Sequence, residues 1–472
     1  MTTAALPRPR TRSVLAGISL GYFMVLLDMT VLAVAEPDLA TSLHASTAGL
    51  QWATTAYTVA FAALLLSSGA LTDRYGASRL FHAGVAAFTV ASLLSTLAPS
   101  LSVLIALRAL MGIAAAACVP ASMALIAALY PAPAARARAI ATWAATSGAA
   151  VATGPIAGGA LVGIAGWRAA FLINVPIGLL VLFLTRIAAL ARATTTAATR
   201  GHVPATTAEH RDRSPAPTRD RDSAPTRIDW PAQLAAAAVL ASATDALIAA
   251  GARQWHHTIA ATAVTAASLV VFIALERRST APVLNRALLR VRRVRSALLA
   301  GAAINFALSG LLFVLPLYLQ RQHHLTALQT GLAFLPLTIP FVANPPITGR
   351  IVVRTGPHRP IVLGLTLLVA GGAGLAATTH AGSNSAWLGL ALLITGLGVS
   401  FALPALAAAI VAAAPPGTTG AAAGVLNAVR QAGATAGVAV MGAAMSGGIA
   451  RSLLLVSAVS VVALAVVMRA AR

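Results

Sequence analysis

An all-α integral membrane protein with fourteen transmembrane helices is the fold class this sequence predicts, and three observations predict it. Of the 472 residues, 58% are hydrophobic and only 9% charged, against roughly 45–50% apolar and about 25% charged in a soluble domain. A water-facing surface cannot be built from so few charges. Apolar runs that can cross the hydrocarbon, about 20 residues for a helix, recur fourteen times along the chain. The basic residues gather on one side of those runs, as they do on the cytoplasmic side of membrane proteins.

The first six runs lie near 13–35, 50–71, 80–98, 101–124, 139–163 and 170–190, and form an N-terminal six-helix bundle over residues 1–190. Arg8, Arg10 and Arg12 precede the first run, and Ala33-Val34-Ala35 resembles a signal-peptide cleavage site. Asp28 interrupts that run and many spans follow, so the segment is read as a retained helix. Residues 191–229 are rich in Thr, Pro, Arg and Asp, for example Arg211-Asp212-Arg213, and read as a solvated cytoplasmic linker. Two additional spans follow near 231–250 and 258–275, within a segment taken as 230–275, and then a basic cytoplasmic connector over 276–295. The last six runs, near 296–319, 327–348, 359–378, 385–408, 419–446 and 452–468, make a C-terminal bundle over 296–472.

The arginines test this count. With the N-terminus inside, the outer loops hold only Arg168, Arg253, Arg321 and Arg451, and Arg108 and Arg430 fall within spans; 27 of the 33 basic residues lie at the inner side. Both termini are therefore placed in the cytoplasm, and the Arg-only, Ala-rich composition suggests a GC-rich bacterial genome and hence a bacterial inner membrane. Trp52, Trp167, Trp230, Trp255 and Trp387 fall near span ends, where interfacial anchors belong.

The same composition excludes several functions. No lysine occurs, so a P-loop, whose Lys reaches the nucleotide phosphates, is absent. The net charge of +22 would suggest nucleic acid in a soluble protein, but here the arginines flank spans, and no nucleic-acid partner is expected. Cys118 is the single cysteine, which rules out an intramolecular disulfide. The spans lack the clustered His or acid pairs of a membrane-embedded enzyme. His256-His257 and His323-His324 fall in short outer loops with no acid or Cys expected to accompany them, so no metal site is expected.

An internal repeat points to mechanism. Gly69-Ala70-Leu71-Thr72-Asp73-Arg74-Tyr75-Gly76-Ala77-Ser78-Arg79 is echoed 280 residues later by Gly349, Arg354, Gly356 and Arg359, and Gly112 with Pro120 is echoed by Gly396 with Pro404. Parallel repeats related by an axis along the membrane normal are one way transporters alternate access to a site between halves.

These residues also carry a resemblance to the major facilitator superfamily, and within it to the fourteen-span drug/proton antiporters. Gly69 to Arg79 resembles the signature loop G-x-L-A-D-R-x-G-R-R-R, with Ala77 and Ser78 in place of two basic residues. Leu27-Asp28-Met29-Thr30-Val31 resembles the first-helix motif L-D-x-T-V, and Arg108 with Gly112 the fourth-helix R-x-x-x-G. Gly148, Gly154, Pro155, Gly158 and Gly159 resemble the fifth-helix antiporter motif. Trp167-Arg168 with the run from Phe171 to Gly178 resembles the start of the sixth helix, and looser likeness continues at 315–320 and 427–431. One departure stands out: where the family continues the first helix as N-x-A-L-P, this chain has Ala33-Val34-Ala35-Glu36-Pro37. Glu36 is expected at the outer mouth of the helix, altering substrate entry or simply sitting in water.

The resemblance implies a major-facilitator-type fold, two six-helix bundles with two extra central helices. It implies proton-coupled efflux of small hydrophobic or amphiphilic compounds by a monomer in the lipid bilayer, driven by the proton gradient with no cofactor. An importer or uniporter of the same fold is the alternative. A charge at the bilayer centre costs at least about 2.5–3.5 kcal/mol, which makes Asp28 and Arg108 the candidates for proton coupling. A carboxyl can load and release a proton, and a guanidinium stays charged. A purely structural ion pair is the competing reading of both. Gly69, Asp73, Arg74, Gly76 and Arg79 are candidates for a conformational latch. Asp245, Asn305, Asn427, Arg430 and Gln431 are candidates for the substrate cavity, although an interfacial place for Asp245 and interhelical hydrogen bonds for the others compete with that use.

Overall fold

In the computed structural model, residues 9–186, 229–279, 289–380, 385–414 and 419–471 are described. The expected linker over 191–229, apart from Asp229, and part of the 276–295 connector lie outside them. Every described regular element is helical. In chain order these are α1 Pro9–Ser42, α2 Thr47–Tyr75, α3 Ala77–Thr96, α4 Leu101–Leu129, α5 Pro133–Ala165 and α6 Trp167–Arg186, the last interrupted at Ile173. Then come α7 Trp230–Gly251, α8 Trp255–Arg278 and α9 Arg292–Gln322. Three short pieces follow, α10 Ala327–Ala333, α11 Leu335–Ala343 and α12 Pro345–Thr355, and then α13 His358–His380, α14 Ser385–Ala413, α15 Thr419–Ala444 and α16 Ile449–Ala471. Among the described residues, eleven helices are long and apolar enough to cross a membrane.

Local chemistry sets where the helices begin and break. The Ser46 and Ser100 hydroxyls accept from the backbone N–H of Gly49 and Val103 at the starts of α2 and α4, satisfying donors that a helix leaves open. Thr326 and Gln329 close a reciprocal capping box at α10. Pro336, Pro345 and Pro346 lack an N–H and fall in the first turns of α11 and α12, which is why this run is divided into pieces rather than forming one straight helix.

The helices form two sets with the same pairings. In the first, α1 packs on α5, and α4 on α2 and α3; in the second, α9 packs on α15, and α14 on α13 and α11. The two sets meet through α2 against α15 and α5 against α10 and α11, so each contributes the same pair of positions to the seam. The repeat seen in sequence has atomic counterparts. Gly76 and Gly356 end α2 and α12 with φ of 86° and 77°, and each donates its N–H to a carbonyl four residues back, at 2.9 Å. Such positive φ favours glycine. Gly112 of α4 lies against the Tyr57 backbone, and Gly396 of α14 against that of Leu337, 280 residues beyond Tyr57.

The extra hairpin lies outside this frame. α7 packs on both α2 and α15, and the Ser67 hydroxyl donates to the Gln233 amide oxygen. α8 rests on α7 and turns Ile259, Val264 and Val270 outward, each more than half exposed. In a bilayer an apolar side chain gains nothing by leaving lipid for a neighbouring helix, so α8 needs no further partner.

Candidate functional site

The buried charges sit where the first set of helices meets itself. Asp28, halfway along α1, and Arg108 on α4 are each 1% exposed and form an ion pair through Oδ2 and Nη1. The other Asp28 oxygen accepts from Asn174 Nδ2 on α6 at 2.9 Å, and the same amide group donates to Ser92 Oγ on α3 at 2.9 Å. Arg108 Nε donates to the Ala53 carbonyl of α2 at 3.2 Å, and the guanidinium lies 4.6 Å from the centre of the Tyr57 ring. Every partner belongs to the first set, so this network ties five helices of that set together. Burying two charges demands such completeness, because each unpaired ion would cost several kcal/mol.

Glycines place the network. Gly112, one turn beyond Arg108, lets α4 touch the α2 backbone; a Cβ there would meet Ala60 Cβ and Phe61 N at 3.1 Å. The fifth-helix motif divides between two faces. Gly154 and Gly158 press α5 onto α1 beside Asp28: their Cβ positions lie 2.7 Å from Thr30 Cβ and 2.8 Å from the Val31 carbonyl. Gly148 and Gly159 face the second set, against Phe341 and against Ala327 and Leu328, and the Pro155 carbonyl abuts Gly331. The same helix thus holds the charged pair on one side and the seam between sets on the other.

The other sequence candidates fall in three places. Asn305, Asn427 and Arg430 come together: Arg430 Nε donates to Asn305 Oδ1 at 3.2 Å and its Nη1 to Asn427 Oδ1 at 3.1 Å. Gln431 follows on the same helix, with its side-chain Oε1 buried and unpaired. Facing them from the first set, Tyr22 stacks on Trp143 with ring centres 4.2 Å apart. Asp245 stands apart from this group. It lies on α7 and pairs with His257 of α8 at 2.7 Å, both partly exposed. That pairing corrects the expectation that no acid accompanies the His256-His257 pair. Gly69, Gly76, Arg74 and Arg79 lie at or beside the α2–α3 turn with both arginines exposed, and Arg74 covers the Tyr75 ring at 5.6 Å. The side chain of Asp73 lies outside the described residues.

Glu36 requires a correction. It is not in water at the mouth of α1 but 2% exposed, and its Oε1 accepts from Thr54 Oγ1 of α2 at 2.8 Å. Asp38, two residues on, caps α6 by accepting from the Trp167 N–H at 2.7 Å. Sequence reasoning took Asn174 only as part of the sixth-helix run, with no role of its own, and passed over Gln51. Each is a lone amide in an apolar run, which is the signal that could have found them.

Two matched sets of helices, with buried polar groups inside each and a seam between them, define a transporter. The whole-chain comparisons agree. The model of the Major Facilitator Superfamily matches residues 18–438, and the chain belongs to that family. It is 32% identical over 441 residues to the multidrug resistance protein Stp of Mycobacterium tuberculosis, covering 93% of this chain and 76% of that one. It is 31% identical over 447 residues to the tetracenomycin C resistance and export protein of Streptomyces glaucescens, covering 94% and 78%. The crystal structure of the human organic anion transporter MFSD10 superposes with a TM-score of 0.63 at 18% identity, covering 98% of this chain and all of that one, a likeness of fold. The chain is accordingly a multi-span membrane transporter and not an enzyme.

Proposed function

We propose that this protein exports small hydrophobic or amphiphilic compounds, such as drugs or antibiotics, from a bacterial cell in exchange for protons. The buried Asp28–Arg108 pair is the observation that carries the coupling, since its carboxylate is the group in this network that can exchange a proton. Membership in the family and relatives named for resistance and export support the direction of transport. In this reading α2, α15 and the composite α10–α12 join the eleven long apolar helices as crossings. The count is then fourteen, with both termini cytoplasmic and the protein a monomer in the inner membrane. The six-helix halves are residues 1–190 and 296–472.

Protonation of Asp28 removes the charge that Arg108 answers and loosens the network around α1; release of that proton restores it. The alternation of these two states is coupled to opening of the crevice where Asn305, Asn427, Arg430 and Gln431 meet substrate. Each charge that moves inward contributes about 2.3 kcal/mol per 100 mV, equivalent to roughly a 40-fold concentration ratio. In proteoliposomes with an imposed pH gradient, a lipophilic dye is expected to move against the proton flow, and Asp28→Asn is expected to abolish that movement. Dye moving with the protons would identify an importer, and dye movement indifferent to the gradient a uniporter.

A further inference from the structure

Glu36 is a second buried acid that the Asp28–Arg108 network does not use. Among the described residues its Oε2 is buried without a hydrogen-bond partner, while Oε1 accepts from Thr54. It borders a pocket of about 30 Å³ shared with Met29, Tyr57, Arg108, Ser309 and Phe313. That volume suits one or two water molecules and no drug. The charged groups that reach Glu36 are Arg108 from α4 and Arg321 from α9. Tyr57 is the titratable side chain from α2, and α15 brings only Val438. Arg108 is already committed to Asp28 and the Ala53 carbonyl, and Arg321 is exposed at the end of α9. A carboxylate here keeps one bare oxygen in an apolar pocket, whereas the neutral acid costs far less to bury.

The surroundings give this burial a function. The seam between the two sets is shut at the end of the molecule that carries the α1–α2 turn. The hydrogen bonds that cross it among the described residues are Gln51 to the Val438 and Ala439 carbonyls, Thr58 to Thr435 and Gln320 to the Val34 carbonyl. Glu36 lies among these bonds, two residues from Val34 and bonded to Thr54, between Gln51 and Thr58 on α2. The pocket runs inward from it along α1 to Met29, the neighbour of Asp28, about 10 Å away at 1.5 Å per residue.

We propose that Glu36 is a second proton-binding site of the transport cycle, loaded from the α1–α2 end and required in its protonated form for that end to seal. The inference rests on the proton-exchange reading above and adds a residue to it. An O–H bond forms at Oε2 with a proton from water while that end is open. The proton returns to water on the opposite face along the pocket wall between α1 and α9. The leucine usual at this position in the family that the first helix resembles could hold no proton.

Paired spin labels at Ser42→Cys and Gln322→Cys, on the exposed ends of α1 and α9, report this seal, with the buried Cys118 replaced by alanine. In the otherwise unaltered protein the distance is expected to shorten as the buffer is taken from about pH 8 to about pH 5. Glu36→Gln and Glu36→Leu are expected to hold the short distance at both ends of the range. A distance indifferent to pH without either substitution would overturn the proposal. So would either variant following pH as before, which would place the switch on Asp28, Asp38 or His323. In proteoliposomes Glu36→Gln is expected to lose both gradient-driven accumulation and substrate–substrate exchange, since its α1–α2 end no longer opens. If the protein carrying Glu36 shows no gradient-driven transport while the distance still follows pH through Glu36, the exchanger reading fails and the proton site stands.

Discussion

Asp28 and Arg108 satisfy one another so fully that each is a liability without its partner. Asp28→Asn leaves a buried guanidinium with the Ala53 carbonyl and the Tyr57 and Phe171 rings but without its carboxylate, and breaking a buried pair costs about 3–5 kcal/mol. The expected outcome is a lowered unfolding midpoint in detergent for Asp28→Asn and for Arg108→Gln, each by that order. The double substitution is expected to cost less than the sum, because neither charge is then stranded. Additive losses in that cycle would mean that the two side chains are stabilised independently. Asn174 belongs to the same argument, since its amide holds the second Asp28 oxygen and Ser92 together. Losing it should loosen α6 from α3 without removing the charge pair.

Along α5, glycines that look alike in sequence differ by what they touch. A Cβ at Gly154 runs into Thr30 at 2.7 Å, whereas at Gly163 no atom of another element lies within 4 Å. Gly154→Val is therefore expected to push α5 from α1 and abolish transport, and Gly163→Ala to leave transport unchanged, both read as dye efflux at matched expression. At Gly159 the obstacle is the second set, with Leu328 Cα 2.8 Å from the added atom. Gly159→Ala should keep substrate binding but slow turnover, since only the closed seam is obstructed. How far these elements are legible without coordinates follows from the same contacts. Span positions and the two α-to-α glycine turns can be read because hydropathy and positive φ are local properties of the chain. The division of the Gly/Pro motif into an α1 face and a seam face cannot, because the motif gives spacing but not the neighbours. Glu36 defeats sequence reasoning for the same reason. Its place near the end of α1 suggests exposure, and only the approach of Thr54 on α2 and of α9 buries it beside a small pocket.

At the scale of the whole molecule, the hydrogen bonds that join the two sets among the described residues gather toward the α1–α2 end, and the conformation seen is the one sealed there. Gln51 is the principal clamp: its Nε2 donates to the Val438 and Ala439 carbonyls at 3.0 and 2.8 Å, and Gly442 gives it room to lie against α15. A net hydrogen bond contributes about 0.5–1.5 kcal/mol, and 1.4 kcal/mol is tenfold in an equilibrium constant. Gln51→Leu should therefore shift the balance between sealed and open forms by roughly tenfold toward opening at the α1–α2 end. The stability of each set is untouched by this change, because no partner of Gln51 in these bonds lies within its own set. A cysteine at Ser309, which lines the pocket behind the seal, reads the change. Its alkylation by a membrane-impermeant thiol reagent added from the α1–α2 side should accelerate by about that factor in Gln51→Leu. Combining Thr58→Val with Thr435→Val, which removes the 2.7 Å hydroxyl contact, should act in the same direction and more weakly. If neither change alters the alkylation rate, the seal is held by the remaining contacts, the Gln320 bond to Val34 and the glycine contacts of α5 with α10 and α11. The burden of alternation would then move from the polar clamp of α2 to those contacts.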